Sequence, residues 1–169
     1  TYDGMLALKK SLKDFQGGRL VMHITELPIK CPVAPLEFVM LADDFLTKKG
    51  VRAATEIVYV TPLDGAFTKP VASRELGHHL STRNIKVEPD FMIESVDQEA
   101  KVIRSYDERE VAYDLLVTVP LNMGADYVAA SGLGDELNYV PVDSRCTPSG
   151  RKACSARMAA VVCRLARAS

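Results

Sequence analysis

The chain has 169 residues, 47% hydrophobic, 25% charged and 7% aromatic. That composition supports one domain with a core and excludes a collagen-like, disordered or small disulfide-stapled chain. The formal net charge of −1 conceals two segments: residues 1–143 carry all 22 acids against 15 Lys and Arg, a net of −7, and residues 144–169 carry six Arg and Lys and no acid, a net of +6.

Cysteines divide in the same way, with Cys31 alone in the acidic segment and Cys146, Cys154 and Cys163 in the basic one. The tail spacings, C-x7-C and C-x8-C without a tail histidine, do not fit a zinc site. Four cysteines and no secretory leader point to a reducing, cytoplasm-like compartment. No apolar run approaches the roughly 18 residues of a membrane helix. Aromatics are not interleaved with basic residues, so nucleic acid is not an expected partner. A first residue of Thr1 rather than Met leads us to expect a processed product or an excised piece.

In chain order, Met5, Leu8, Leu12 and Phe15 recur at helical spacing over 2–16, and Gly17-Gly18 stop that helix. RLVMHI (19–24) does not alternate, which predicts a strand buried on both faces. A proline-punctuated loop, 25–35, carries Cys31. Pro35 opens a second helix ending at Gly50, for which Phe38, Leu41, Ala42 and Phe45 are the expected buried face. EIVYVT (56–61) is a second buried strand, Ser73 is the expected cap of a helix to Thr82, and 85–88 is a third strand. From Phe91 to Pro120 the pattern becomes a meander, with MIESVD, KVIRSY and EVAYDLLVTVP separated by charged turns and Leu115–Val119 returning as an apolar strand. The fold class is α/β: a Rossmann-like three-layer domain of the FAD/NAD(P)-binding type with a small antiparallel β-meander. Its expected extent is 19–143, with 1–18 as a helix leading in from a truncated FAD domain and 144–169 as a basic tail. No internal repeat or low-complexity linker precedes Asp143.

A βαβ unit that binds a dinucleotide needs G-x-G-x-x-G in its first turn, so that backbone can approach the pyrophosphate. Here that turn reads TELPIKCPVAPLEF and has no glycine, and EIVYVTP ends without the acid that would hold a ribose. NAD binding is therefore not expected. In the place of the glycines stands Lys30-Cys31-Pro32 at a helix entrance, where an ammonium and a helix N-terminus both favour thiolate. Cys31 is thus a candidate redox nucleophile, against the alternative of a buried structural cysteine.

The stretches PIKCPVAPLEF, YVTPLDGAFTKP, YDLLVTVP and SGLGDELNYVPVD resemble the sulfide:quinone oxidoreductase family of FAD-dependent disulfide-reductase-type flavoproteins. The resemblance covers most of 2–143. It implies a second dinucleotide-type domain that has lost its NAD site, with Cys31 as one of two cysteines that take up sulfide sulfur, FAD as cofactor, and sulfide and quinone as substrates of the parent protein. Peripheral membrane contact of that parent is also implied. The family's FAD pyrophosphate loop is absent from this chain, and none of the tail cysteines stands in the context of the second redox cysteine, so FAD-binding residues are not assigned. Two alternatives stay open: an NAD(P)H-dependent flavin disulfide reductase or NADH:quinone oxidoreductase, and a non-catalytic Rossmann-like binding module.

Other polar positions read more simply. His78 and His79 are helix neighbours and cannot chelate one metal as a pair, and His23 reads as a core histidine. Glu26 and Glu37 flank the Cys31 loop, where a proton acceptor or a solvated carboxylate both fit. Asp43-Asp44 reads as the outer face of a helix, and Lys69 and Arg74 as solvated cations that could meet an anion. In the tail, Met158, Val161, Val162 and Leu165 outline a short basic amphipathic helix of a kind that lies on anionic membranes. The Arg-, Ala-, Ser- and Cys-rich composition, beginning where the resemblance stops, instead favours a shifted reading frame.

Overall fold

The computed structural model describes residues 2–141. The basic tail and its three cysteines, including the frame-shift and membrane-helix expectations, lie outside the described residues. The chain divides into a unit ending at Leu121 and a second beginning at Asn122.

The first unit is built from α1 (Tyr2–Asp14), β1 (Gly18–Ile24), α2 (Ala34–Lys49), β2 (Thr55–Val60), α3 (Pro70–Thr82), β3 (Ile85–Glu88), β4 (Ile93–Asp97), β5 (Val102–Ser105), β6 (Glu110–Ala112) and β7 (Leu115–Val119). Four strands form a parallel sheet in the order β3-β2-β1-β7, and β4-β5-β6 form a separate antiparallel sheet. β1 is central, and its last five residues are buried. Leu20, Met22 and Ile24 join a core shared with α2 and α3, with Leu36, Val39, Leu46, Leu80 and Tyr59. Val21 faces the other way into a core with Val58, Val60, Phe91, Ile103 and Val111. The layers are therefore helices, parallel sheet and meander, and the expected α/β three-layer class is observed.

Gly17 and Gly18 do more than end a helix. Both have positive φ, +130° and +103°, and a Cβ on Gly18 would collide with the Asp114 carboxylate. That carboxylate accepts the Arg19 N–H at 2.7 Å, so the glycine lets the strand entrance approach its partner.

Two expected helix faces differ in the structure. On α2 the buried residues are Pro35, Leu36, Val39, Ala42 and Leu46, whereas Leu41 is 69% and Phe45 42% exposed. The helix carries two apolar stripes, and the sheet takes the one containing Leu36, Val39 and Leu46; Phe38 is half-buried between them. On α1 only Leu12 and Phe15 pack against the core, while Met5 and Leu6 are exposed. Lys49 holds the C-terminal end of α1 by donating to the carbonyls of Leu12, Lys13 and Phe15.

Asp43 is not on a solvated face. It is only 13% exposed, and its two oxygens accept from Arg52 Nε at 2.5 Å and Arg83 Nη1 at 3.0 Å. Arg52 also donates to the carbonyls of Thr55, Arg83 and Asn84, so one carboxylate ties α2 to the start of β2 and the end of α3. Asp44, by contrast, forms an exposed pair with Lys48. Ser73 does not cap α3, which begins at Pro70; its hydroxyl instead accepts from the Phe67 N–H within the preceding loop.

The second unit contains α4 (Asp126–Ala130), with Val128 buried. The Asp135 carboxylate accepts from the N–H groups of Leu137 and Tyr139, both at 2.9 Å, and closes the turn that follows.

Two paired substitutions test this packing in urea denaturation. Leu46→Ala should cost about 2–5 kcal/mol as a core truncation, whereas Leu41→Ala should stay within about 0.5 kcal/mol. Asp43→Ala should cost about 2–3 kcal/mol by stranding Arg52, and Asp44→Ala no more than about 0.5 kcal/mol. Equal costs within either pair would overturn the assigned face or the assigned hub.

Candidate functional site

The strand order places a switch point at β1. The chain steps from β1 outward to β2 and β3 and returns as β7 on the other side of β1. In open α/β sheets ligands meet the carboxyl ends of strands at such a point. The loop that leaves β1 there, 25–33, is the one that carries Cys31.

This loop is braced rather than open. Leu27-Pro28 is a cis peptide bond, Ile29 is buried in the helix-side core, and the Cys31 carbonyl accepts the Ala34 N–H at 3.2 Å. Cys31 itself is a free, exposed thiol, which sets aside the alternative of a buried structural cysteine. It lies three residues before α2, whose N-cap position is Val33 with no side-chain cap. The expected Pro35 is the second rather than the first helical residue.

Glu26, Glu37 and Lys30 are exposed around the loop. His78 and His79 are exposed on α3, and the His79 ring nitrogen accepts from Arg83 at 3.3 Å. No group of three metal-ligating side chains occurs among the described residues. Lys69 is exposed at the start of α3, and Arg74 pairs with Glu75 at 3.0 Å. Arg74 lines a groove of about 770 Å³ between α3 and the edge strand β3, together with Phe67, Ser73, Lys86 and Glu88. Cys31 does not line it, and Lys86 is engaged by Glu56.

The turn after β1 does not fit a dinucleotide. It has no glycine and places Pro28, Pro32 and side chains from Glu26 to Ala34 where a pyrophosphate would need bare backbone. FAD or NAD(P) would therefore not be held through its pyrophosphate at this turn.

His23 is fully buried at the end of β1. Its Nδ1 lies 3.0 Å from Thr118 Oγ1, its Nε2 has no partner, and its ring meets Phe91 edge-to-face with centroids 6.3 Å apart. Burial lowers its pKa from 6.5 to about 4, so it is neutral near neutrality. On the opposite face of the sheet Tyr59 is also buried; desolvation pushes its phenol up against an opposing pull from Thr61, and its hydroxyl has no partner in hydrogen-bond geometry. The sequence marked His23 as a core histidine, as observed, but carried no signal for its pairing with a threonine 95 residues later.

No protein-family model matches the chain. The mitochondrial sulfide:quinone oxidoreductase of Mus musculus is 24% identical over 140 residues, covering 79% of this chain and 31% of that protein. The mitochondrial sulfide:quinone oxidoreductase of Schizosaccharomyces pombe is 27% identical over 128 residues, covering 72% and 28%. The chain is similar to sulfide:quinone oxidoreductases. Among solved structures, the sulfide:quinone oxidoreductase from the hyperthermophilic bacterium Aquifex aeolicus superposes with a TM-score of 0.75 at 18% identity, over 89% of this chain and 38% of that one. The ferredoxin reductase for the CYP199A2 system from Rhodopseudomonas palustris gives 0.61 at 18% identity, over 88% and 34%. The fold is thus that of FAD/NAD-binding oxidoreductases, and the resemblance to sulfide:quinone oxidoreductases read from the sequence is borne out. The chain spans about three tenths of the length of the curated relatives it matches. No helix among the described residues is long and apolar enough to cross a membrane.

The buried neutral His23 makes stability depend on pH in a defined window. The unfolded chain takes up a proton near 6.5 and the folded chain only near 4, so stability falls as pH drops through 6.5 and the loss is complete below about 4. The expected loss is up to about 3 kcal/mol at 1.36 kcal/mol per unit. His23→Gln should flatten the slope of urea-derived stability between pH 6.5 and 5, above the carboxylate range. An unchanged slope would mean that another group titrates there.

Proposed function

We infer that this chain is the second dinucleotide-type domain of an FAD-dependent oxidoreductase of the sulfide:quinone oxidoreductase kind, with Cys31 as a sulfur-accepting thiol. The observation that carries the reading is the exposed thiol at the switch-point loop, in the place where a nucleotide-binding turn would have glycines. The similarity to two curated sulfide:quinone oxidoreductases over more than two thirds of this chain supports it.

In this reading Cys31 forms a disulfide with a second cysteine of the longer polypeptide. Hydrosulfide attacks the Cys31 sulfur, an S–S bond forms between them, and the bond to the second cysteine breaks to leave its thiolate with the electron pair. The product is a Cys31 persulfide, and the oxidising equivalents of the disulfide have passed to the sulfide sulfur. Once the outer sulfur has passed to an external nucleophile such as a second hydrosulfide or a thiolate, leaving Cys31 as a thiol, FAD bound by the rest of the polypeptide would supply the two-electron acceptor that reoxidises the two thiols to the disulfide, with a quinone as final acceptor. The role of this chain is to present the thiol. Ile29 of the loop is anchored in the core, and Cys31 follows two residues later as an exposed side chain on the domain surface. Lys30, next to it and exposed, offers a positive charge to the incoming anion.

The NAD(P)H-dependent alternative needs a pyrophosphate cradle that the turn after β1 does not offer. A parent protein on the membrane surface, with quinone as acceptor, accords with the reading, and the curated relatives' names place those proteins in mitochondria.

The test is the complete protein from which this sequence comes, loaded with FAD and mixed anaerobically with sulfide. Bleaching of the oxidised flavin spectrum is expected, and Cys31→Ser should slow it by several orders of magnitude. A flavin that stays oxidised under excess sulfide, or a serine variant that bleaches at the parental rate, would overturn the assignment.

A further inference from the structure

Helix α2 has three faces where a surface helix needs two. One is the buried face on the sheet, with Leu36, Val39, Ala42 and Leu46. A second is polar and solvated, with Glu37, Asp44 and Lys48 exposed and the last two paired. The third lies between them and is apolar, because the 3.6-residue period brings Ala34, Phe38, Leu41 and Phe45 into one row. Ala34, Leu41 and Phe45 are exposed, and Phe38 is half-buried against the core. Single exposed apolar side chains are ordinary on a protein surface. A row of them from position 34 to position 45, about 16 Å along the axis, is a face without a covering layer.

Both ends of the row adjoin something that bears on its use. At its start the Cys31 carbonyl accepts the Ala34 N–H at 3.2 Å, so the row begins where the thiol-bearing loop ends. At its far end Lys49, one turn beyond Phe45, donates to carbonyls at the end of α1. That helix is equally short of cover. None of its residues is buried, and Tyr2, Met5 and Leu6, at i, i+3 and i+4, are all exposed. A helix of 13 residues is only marginally stable in water without packing, so this open half also needs a partner. Elsewhere in the unit exposed apolar residues stand among charges. Val71 shares its side of α3 with Arg74, Glu75 and His78, and Tyr106 belongs to the turn of Asp107, Glu108 and Arg109.

We propose that the α2 row Ala34, Phe38, Leu41 and Phe45, continued by the open half of α1, is the surface on which the flavin-bearing part of the longer polypeptide is seated. The choice of occupant rests on the reading in which Cys31 exchanges sulfur with a cysteine and a flavin carried elsewhere in that polypeptide. Two observations select it. The matched stretch is only 31% and 28% of the two curated relatives, so a part of this size has a larger remainder to meet. A thiol that reacts with groups on that remainder also needs it held beside its own loop, and this row is the apolar surface that starts there.

The experiment is hydroxyl-radical footprinting of the complete FAD-loaded protein, dilute and free of lipid, with the same protein unfolded in urea as reference. Leu41, Phe45 and Leu6 should be labelled at least about fivefold more slowly than in the unfolded protein, while Val71 and Tyr106 stay within about twofold. Labelling of Leu41 and Phe45 as fast as Val71 would overturn the proposal. Protection that appears only on concentrating the protein would assign the row to a second copy. Protection that needs vesicles of phosphatidylcholine and phosphatidylglycerol would assign it to a lipid surface, and either result would also overturn it. The occupant is then read by putting the photoreactive p-benzoylphenylalanine in place of Leu41. Illumination should join position 41 to a peptide of the same polypeptide outside these 169 residues. A link to another molecule, or only to residues of this chain, would refute the assignment. None of these readouts uses sulfide, so an unbleached flavin with a protected row would remove the sulfur chemistry and leave the docking surface.

Discussion

The structure depends on β1 being enclosed on four sides. It is paired along both edges, to β2 and β7, and buried on both faces, by α2 and α3 on one side and by the meander core on the other. A strand in that position cannot alternate polar with apolar residues, and RLVMHI does not. It also cannot tilt or slip without exposing one core or the other, because a one-residue shift would exchange Leu20, Met22 and Ile24 with Val21 and His23. What leaves its carboxyl end is therefore fixed in space. That end carries Thr25 and His23 and leads directly into the loop that holds Cys31.

Charge defines the margins of this core. Asp43, with Arg52 and Arg83, closes the amino end of β2 and the far end of α3. Arg109 closes the opposite margin, clasping the loop after β3 and lying over Phe91, which packs on His23. Between them Glu56 of β2 takes Arg19 from β1 and Lys86 from β3, and these two cations hold its carboxyl below the usual range. Each cation has its carboxylate or carbonyl before any ligand arrives. These groups are consequently better understood as fastenings between layers than as a site for an anion.

The parts of the fold legible in the sequence are those set by local periodicity and by what a turn lacks. Strand 19–24, strand 85–88, the Gly50 terminus and the returning strand 115–119 all follow from runs of neighbouring residues. The α2 face was misjudged because the helix offers two stripes, Phe38/Leu41/Phe45 and Leu36/Val39/Leu46. Periodicity gives their spacing but not which one the sheet will cover. Asp43 was read as solvated because its partners are nine and forty residues away. The threonine in hydrogen-bond contact with His23 lies on a strand reached only after the meander. Cys31 was legible as a position, since the missing glycines mark the turn. Its exposure came only from the structure.

The same β1–turn–α2 unit can serve two chemistries, and side-chain bulk at the turn decides between them. A nucleotide-binding turn exposes backbone N–H groups by removing side chains, and lets a pyrophosphate come within hydrogen-bond reach of the helix. Here prolines remove N–H donors at positions 28, 32 and 35, and the turn carries the side chains of Glu26, Leu27, Lys30 and Val33 where a nucleotide-binding turn would have glycines. Yet the helix still begins there, with no side chain capping Val33, so the favourable end of the helix dipole is not consumed. The turn is closed to a pyrophosphate, and what it presents instead is the exposed sulfur of Cys31, three residues upstream of α2.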